Sequence, residues 1–374
     1  MASANPEGQA DPAPTSGNLS WALGIATYNR ADVLLQCLKL AAAQTHPPAE
    51  IVVVDASPDW QDTRQRVMAE LAPGHPHIQW AYEQARRPSA AVQRNQASQL
   101  CTADVVFLFD DDSFMYPDAA EEIMKLYDAD TGQRVAGVAA ALAAAPPPQA
   151  ADERATQEIE AARVAPTVKK YSPLAKLVRR LLNADHMFVP YDQDFPAHEI
   201  PETLGSLNVG TRHLMAGMTM TARRGWIVEE KFSEILADRG PEDSDVSYRL
   251  SRRGAVLTAL DAKVFHVGSP SGRFSSFSRE ALGYLGPIVL HRFYSTDLRR
   301  SRKHQKVMMR SRMIVGLIKD LKSREFDLPR FRGVRFAIRH TDKVLKMTKE
   351  ELEAWYPRFQ QDVIAGDKLR GSKK

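Results

Sequence analysis

Three adjacent aspartates, Asp110, Asp111 and Asp112, follow directly on the apolar run Val105 to Phe109. Like charges this close repel, and some stay protonated unless a cation compensates them. Asp110 and Asp112, two positions apart, can face one side of an extended turn. Their hard carboxylate oxygens suit Mg²⁺ or Mn²⁺, ions that keep coordination positions open for substrate phosphates. A divalent ion bound together with a diphosphate would neutralise the cluster. A second acidic group, Glu242, Asp243 and Asp245, opens a helical pattern. One of its carboxylates could serve as a general base, its pKa raised by its neighbours and lowered by the positive helix end. His266, in FHVG at a strand end, is a candidate third metal ligand, and the Gly- and Ser-rich stretch after it, 268–278, reads as a mobile cover. A structural role stays open for the histidine, as does an ordinary acidic helix start for the second cluster.

These residues need a scaffold, and the order of elements supplies one. Trp21 to Ala26, Ile51 to Val54, Ile78 to Tyr82, Val105 to Phe109 and Val135 to Ala141 read as strands. Between them, Ala31 to Gln44, Thr63 to Leu71, Ser89 to Leu100 and Asp118 to Tyr127 read as helices. Strand and helix alternating in this way predict a doubly wound α/β layer, a mostly parallel sheet with helices on both faces. Such sheets bind ligands beyond the carboxyl ends of their strands. Tyr28-Asn29-Arg30, Asp55 and the aspartate triplet each lie just past a strand end, so three polar groups from separate strands converge on one rim. Further along, Leu214 to Thr221 restores the pattern. A helix follows with Pro241 in its first turn and Gly254 at its end, then an extended segment Ala255 to Val267.

The expected organisation is a leader over 1–18, one catalytic domain over 19–285 and a mainly helical, basic region over 286–374. Within the domain, residues 145–205 interrupt the rhythm as an insertion over the rim, with an amphipathic helix expected at Pro173 to Asn183. The leader has neither a basic start nor an apolar core, so it does not read as a signal peptide. Hydrophobic content of 44% and charged content of 26% fit an ordinary soluble protein. Two cysteines with no zinc-type spacing favour a reducing, cytoplasmic setting. From Arg292 onward there are 23 Lys and Arg against 10 Asp and Glu. That excess of 13 positive charges, on a body that is mildly acidic, points to an anionic partner or simply to a solvated helical surface.

The motifs together resemble an inverting GT-A glycosyltransferase of the family 2 type. The resemblance rests on TYNR at 27–30, VVVDAS with Asp55, QRN with Arg94 and Asn95, FDDDS, MAGMTMTARR at 215–224, PEDSDVSYRL at 241–250 and FHVG, in that order over roughly residues 20 to 270. It implies donor contacts from Thr27, Tyr28, Arg30, Asp55, Arg94, Asn95, Asp110 and Asp111, and Mn²⁺ or Mg²⁺ held by Asp110, Asp112 and His266. It implies Asp243 as the base that deprotonates the acceptor, with Gly217, Met218 and Glu242 lining the acceptor side. Met218 stands where the family commonly carries a small residue, which bears on the width of that pocket. The implied donor is a nucleotide sugar, UDP being the commonest nucleotide. The implied acceptor is a glycan or lipid-linked hydroxyl of a bacterial surface polysaccharide, reached by a cytoplasmic enzyme with peripheral contact to the inner face of the membrane through its basic tail. Nucleic acid is not expected. Two other readings are a nucleotidyltransferase, which normally has a glycine-rich basic loop where this chain has ATYNRADV, and a non-catalytic membrane-surface module, which predicts no metal-dependent nucleotide binding.

Overall fold

The computed structural model describes residues 18–150, 191–193, 195–236, 240–268 and 275–371. The leader up to residue 17, the helix expected at Pro173 to Asn183 and most of the expected cover loop lie outside them. A nine-stranded sheet forms the centre, with strand order β3 (Gln79–Gln84), β2 (Glu50–Asp55), β1 (Trp21–Thr27), β4 (Val105–Phe107), β8 (Met220–Arg223), β6 (Val135–Leu142), β9 (Ala255–His266) and β5 (Ser113–Met115); β7 (Val209–Thr211) also pairs with β9. The first four strands run parallel. β8 then lies antiparallel to both β4 and β6. The sheet is therefore mixed, and less parallel than the sequence pattern suggests.

Alternation along the strands explains why helices cover both faces. Trp21, Leu23, Ile25, Ile51, Val53, Val105, Phe107 and Phe109 pack into one apolar layer with Leu34, Leu38 and Ile123 from helices α1 (Ala31–Ala42) and α4 (Ala119–Ala129). Ala22, Val52, Val54, Val106 and Leu108 point to the other layer, with Ala97 from α3 (Ala90–Leu100), Ile227 from α5 (Arg224–Glu230) and Val246 and Leu250 from α6 (Glu242–Ser251). Helix α2 (Trp60–Glu70) packs through Val67 on the first layer. Because α3 and α6 share a face, the polar residues at their ends are brought together.

Several boundaries differ from expectation for identifiable reasons. Asp110 forms a single bridge to Ala26 just after β4 closes at Phe107, so the triplet sits on a bend rather than at the tip of a longer strand. The Ala216-Gly217-Met218 segment belongs to a 3₁₀ turn over Gly217–Thr219, and strand β8 begins only at Met220. Gly254 does not end α6 through a left-handed conformation. It is needed because a Cβ there would lie 2.5 Å from the Arg134 carbonyl oxygen.

A third apolar cluster joins Leu236 to Leu285, Ile288, Val289, Met309, Val334, Ala337, Leu352 and Tyr356. These come from the C-terminal helices α7 (Ser276–Tyr294), α8 (Leu298–Lys322), α9 (Pro329–Lys346) and α10 (Lys349–Gly371). Helix α7 runs unbroken through position 285, where the sequence reading divides the chain. Cys37 and Cys101 are both buried free thiols, and burial is the main cause that raises the pKa of each, that of Cys101 to about 12.

Candidate active site

The register between β1 and β2 sets the donor-side rim. Thr27 pairs with Asp55 at the carboxyl ends of the two strands. Asp55 is buried and fully engaged: Oδ1 accepts from the Ser57 amide at 2.7 Å and from its hydroxyl at 2.5 Å, and Oδ2 accepts from Tyr82 Oη at 2.5 Å. Ser57 Oγ in turn accepts from the Asn29 amide at 2.7 Å. Asn29 is left-handed, with φ 54°, a conformation asparagine tolerates better than most residues. Asp55 thereby fixes the turn that presents the exposed Tyr28 and the partly buried Arg30.

The triplet is divided among three neighbours. Asp111 is buried, accepts from Thr27 Oγ1 at 2.7 Å and pairs with Arg30 Nη1 at 2.8 Å. Burial pushes its pKa up to about 6, against the pull of Arg30. Arg30 Nη1 also lies 3.7 Å from Asp112. Asp112 faces His266, whose Nε2 is 3.1 Å from Asp112 Oδ1 and 3.9 Å from Asp110 Oδ2. The short strand β5 makes this contact. Antiparallel pairing sets Ser113 opposite His266, and the Val267 amide donates to the Asp112 carbonyl at 3.0 Å. One ligand atom from each of Asp110, Asp112 and His266 falls within 4.8 Å of the others. Two carboxylates and an imidazole are a donor set that fits a divalent cation, and the nitrogen favours Mn²⁺ over Mg²⁺.

Helix α3 connects this cluster to the second one. Arg94 is buried and donates from Nη2 to Asp110 Oδ1 at 2.6 Å, while Nη1 lies 3.4 Å from Glu242 Oε1. Burial opposes its charge, but Asp110, Glu242 and Asp243 together outweigh burial and raise its pKa. Asp243 therefore lies within electrostatic reach of Arg94, the residue that also holds Asp110. It sits in the first turn of α6, where its Oδ1 accepts from the Ser244 amide at 2.7 Å. Asp245, the third acidic residue, is elsewhere. It is fully buried between Tyr191 Oη at 2.6 Å and Arg249 Nη2 at 2.7 Å, so it braces the helix rather than lining the cleft.

The flanking residues hold this arrangement. Asn95 donates to the Phe232 carbonyl and to Glu234 Oε1, both at 3.0 Å, and accepts from the Phe232 amide at 2.7 Å. Its whole side chain is thus committed to the 232–234 segment. Gln93, which sequence reasoning missed, donates to the carbonyls of Thr27 and Val54 at 2.8 Å each, tying the ends of β1 and β2 together. Gln93 is the first residue of QRN itself, and its place in that motif is the signal that could have revealed it. Gly217 is placed against Arg94: a Cβ there would be 2.3 Å from Nη2. Gly217→Ala must displace the guanidinium by a distance on the order of 1 Å and loosen its grip on Asp110. A misplacement of that size costs about a hundredfold in turnover. Steady-state kinetics check this, and unchanged kcat would show that the Arg94 bridge is dispensable. Met218, beside it, is half-buried.

Residues 23–158 match the sequence model described as glycosyl transferase family 2. No curated protein sequence matches the chain. Among solved structures, one that is similar is the mannosyltransferase PcManGT from Pyrobaculum calidifontis in complex with GDP-Man and Mn²⁺, at 14% identity and TM-score 0.48, covering 90% of this chain and 88% of that one. Others are GalNAc-T7 with UDP, GalNAc and Mn²⁺, at 14% identity and TM-score 0.44, covering 66% and 43%, and S. aureus TarS 1-349, at 11% identity and TM-score 0.45, covering 92% of each. Most of β1, all of β2 to β6 and the aspartate triplet lie inside the matched segment, so this part of the chain is similar to glycosyl transferase family 2.

Proposed function

We propose that this chain is a glycosyltransferase that moves a sugar from a nucleotide diphosphate sugar, UDP being the favoured nucleotide, to a hydroxyl of a glycan or lipid-linked acceptor, with inversion at the anomeric carbon. The observation that carries the reading is the meeting of Asp110, Asp112 and His266 within 4.8 Å, linked by Arg94 to the first turn of α6. A metal held by Asp110, Asp112 and His266 would supply charge stabilisation to the departing nucleoside diphosphate.

The remaining roles belong to the chain's own side chains. Thr27, Tyr28, Arg30 and Asp55 shape the seat for the nucleotide, Asp55 by fixing the turn and Tyr28 by its exposed ring. Asp111 anchors Arg30, and Arg94 holds Asp110 in orientation. Asn95 secures the 232–234 segment beneath them. On the acceptor side, Gly217 and Met218 form the wall, and Glu242 is held by Arg94. Asp243 takes the proton of the incoming hydroxyl as its oxygen bonds to the anomeric carbon and the bond to the diphosphate oxygen breaks. Residues 286–374 act as a helical region appended to the transfer domain. A bacterial surface polysaccharide and a cytoplasmic site of action fit this chemistry.

A donor-hydrolysis screen over nucleotide sugars, with and without Mn²⁺, tests the proposal. The expected result is release of the nucleoside diphosphate from one donor class, abolished by EDTA. No metal-dependent release or binding from any nucleotide sugar would overturn it.

A further inference from the structure

Helix α8 contains nine Lys and Arg and one acidic residue, Asp320. That carboxylate is turned inward: its side chain is 0% exposed, Oδ1 accepts from Arg330 Nη1 at 2.8 Å, and Oδ2 accepts from the Phe331 amide at 3.0 Å. The described surface of the helix therefore shows solvent no carboxylate of its own. Its outward face carries an apolar stripe instead. Ile314, Ile318 and Leu321 are 45%, 38% and 52% exposed and follow one another at i, i+4 and i+7. Phe326, just beyond the helix, is 76% exposed. Exposed Arg310, Lys322 and Arg324 flank the stripe. The opposite face is already used: Met309 lies in the C-terminal apolar cluster, and Gly316 approaches the backbone of Arg330 and Phe331. Of the nearby acids beyond the helix, Glu325 is paired with Arg330 at 2.9 Å, and Asp327 adjoins Phe326.

An exposed apolar patch of this kind marks an interaction surface. Charge decides what covers it. A protein partner usually meets a rim of mixed sign, whereas this helix offers cations alone. An apolar stripe bordered by Lys and Arg has the build of an interfacial helix, whose apolar side chains enter the boundary between headgroups and acyl chains while its cations meet anionic lipids. Among the described residues no helix is long and apolar enough to cross a membrane, so such a helix lies on the surface. We propose that Ile314, Ile318, Leu321 and Phe326, with their basic flanks, are a docking face for an anionic lipid bilayer. This stands apart from the identity of the donor and acceptor.

Cosedimentation of the full chain with vesicles tests it. The protein is expected to sediment with mixed phosphatidylcholine and phosphatidylglycerol vesicles and to stay in solution with phosphatidylcholine alone. The double variant Leu321→Ser/Phe326→Ser is expected to lower the partition coefficient by at least about tenfold, with its circular dichroism and Mn²⁺-dependent nucleotide binding unchanged. Wild-type protein that ignores anionic vesicles, binds neutral ones equally well, or partitions like the double variant overturns the proposal. So does light scattering that shows a dimer dissolved by the double substitution in place of vesicle binding. Nucleotide binding, read in the same samples, reports on sugar transfer alone, so the two readings fail separately.

Discussion

Asp243→Asn will lower turnover by about two to four powers of ten, the usual scale for loss of a general base, while nucleoside diphosphate binding with Mn²⁺ stays nearly unchanged. Asparagine keeps the shape of the side chain and can still accept from the Ser244 amide, as Asp243 does at 2.7 Å. It cannot take a proton from a hydroxyl. Since Arg94 contacts Asp110 and Glu242 and only senses Asp243 through space, the metal side should retain its geometry. Kcat from a transfer assay, set beside calorimetry of the nucleotide, separates chemistry from binding. Full turnover in the variant would remove Asp243 from the mechanism.

Asp112→Asn acts on the other half of the site. Asp112 is 2% exposed, faces His266 at 3.1 Å and shares Arg30 with Asp111. An amide in its place keeps the volume but weakens a hard anionic ligand to a neutral one. Even a change at a group that only orients a metal ligand costs about 10–100-fold in metal affinity, and loss of a direct ligand is expected to cost at least that much. Calorimetry with Mn²⁺ and a nucleoside diphosphate reads this as a loss of the metal-dependent part of the affinity, leaving the weaker metal-free binding in place. Retention of the full Mn²⁺-dependent affinity would exclude the Asp110, Asp112 and His266 cluster as the metal site.

Much of the scaffold was legible in the sequence because its pattern is local. Trp21 to Phe109 alternates runs of buried β-branched and aromatic residues with helices, and each run has a period of two or 3.6 that a reader can see. The encounter of Asp112 with His266 was legible only as a pairing of types, since it depends on β5, three residues long, joining β9 across 150 positions of sequence. A three-residue strand has no period to detect. Likewise, the antiparallel β8 looks in sequence like any other short apolar segment, and its direction follows from the crossover rather than from its residues. In sequence Asp245 groups with Asp243 because both stand in the first turn of α6. Two positions along a helix turn a side chain by about 200°, which sends Asp245 inward to Tyr191 and Arg249. The sequence marks Gly217 only as acceptor-side lining, and its packing against Arg94 appears only once two distant segments are placed together.

Gln93, Arg94 and Asn95 are consecutive on α3, each points about 100° from the last, and each holds a different part of the cleft. A replacement at any of the three loosens one wall of the cleft, because each is committed to buried partners. Natural or laboratory changes of sugar preference should therefore accumulate at the exposed Tyr28 and at Met218, with this tripeptide left as the slowest part of the cleft to drift.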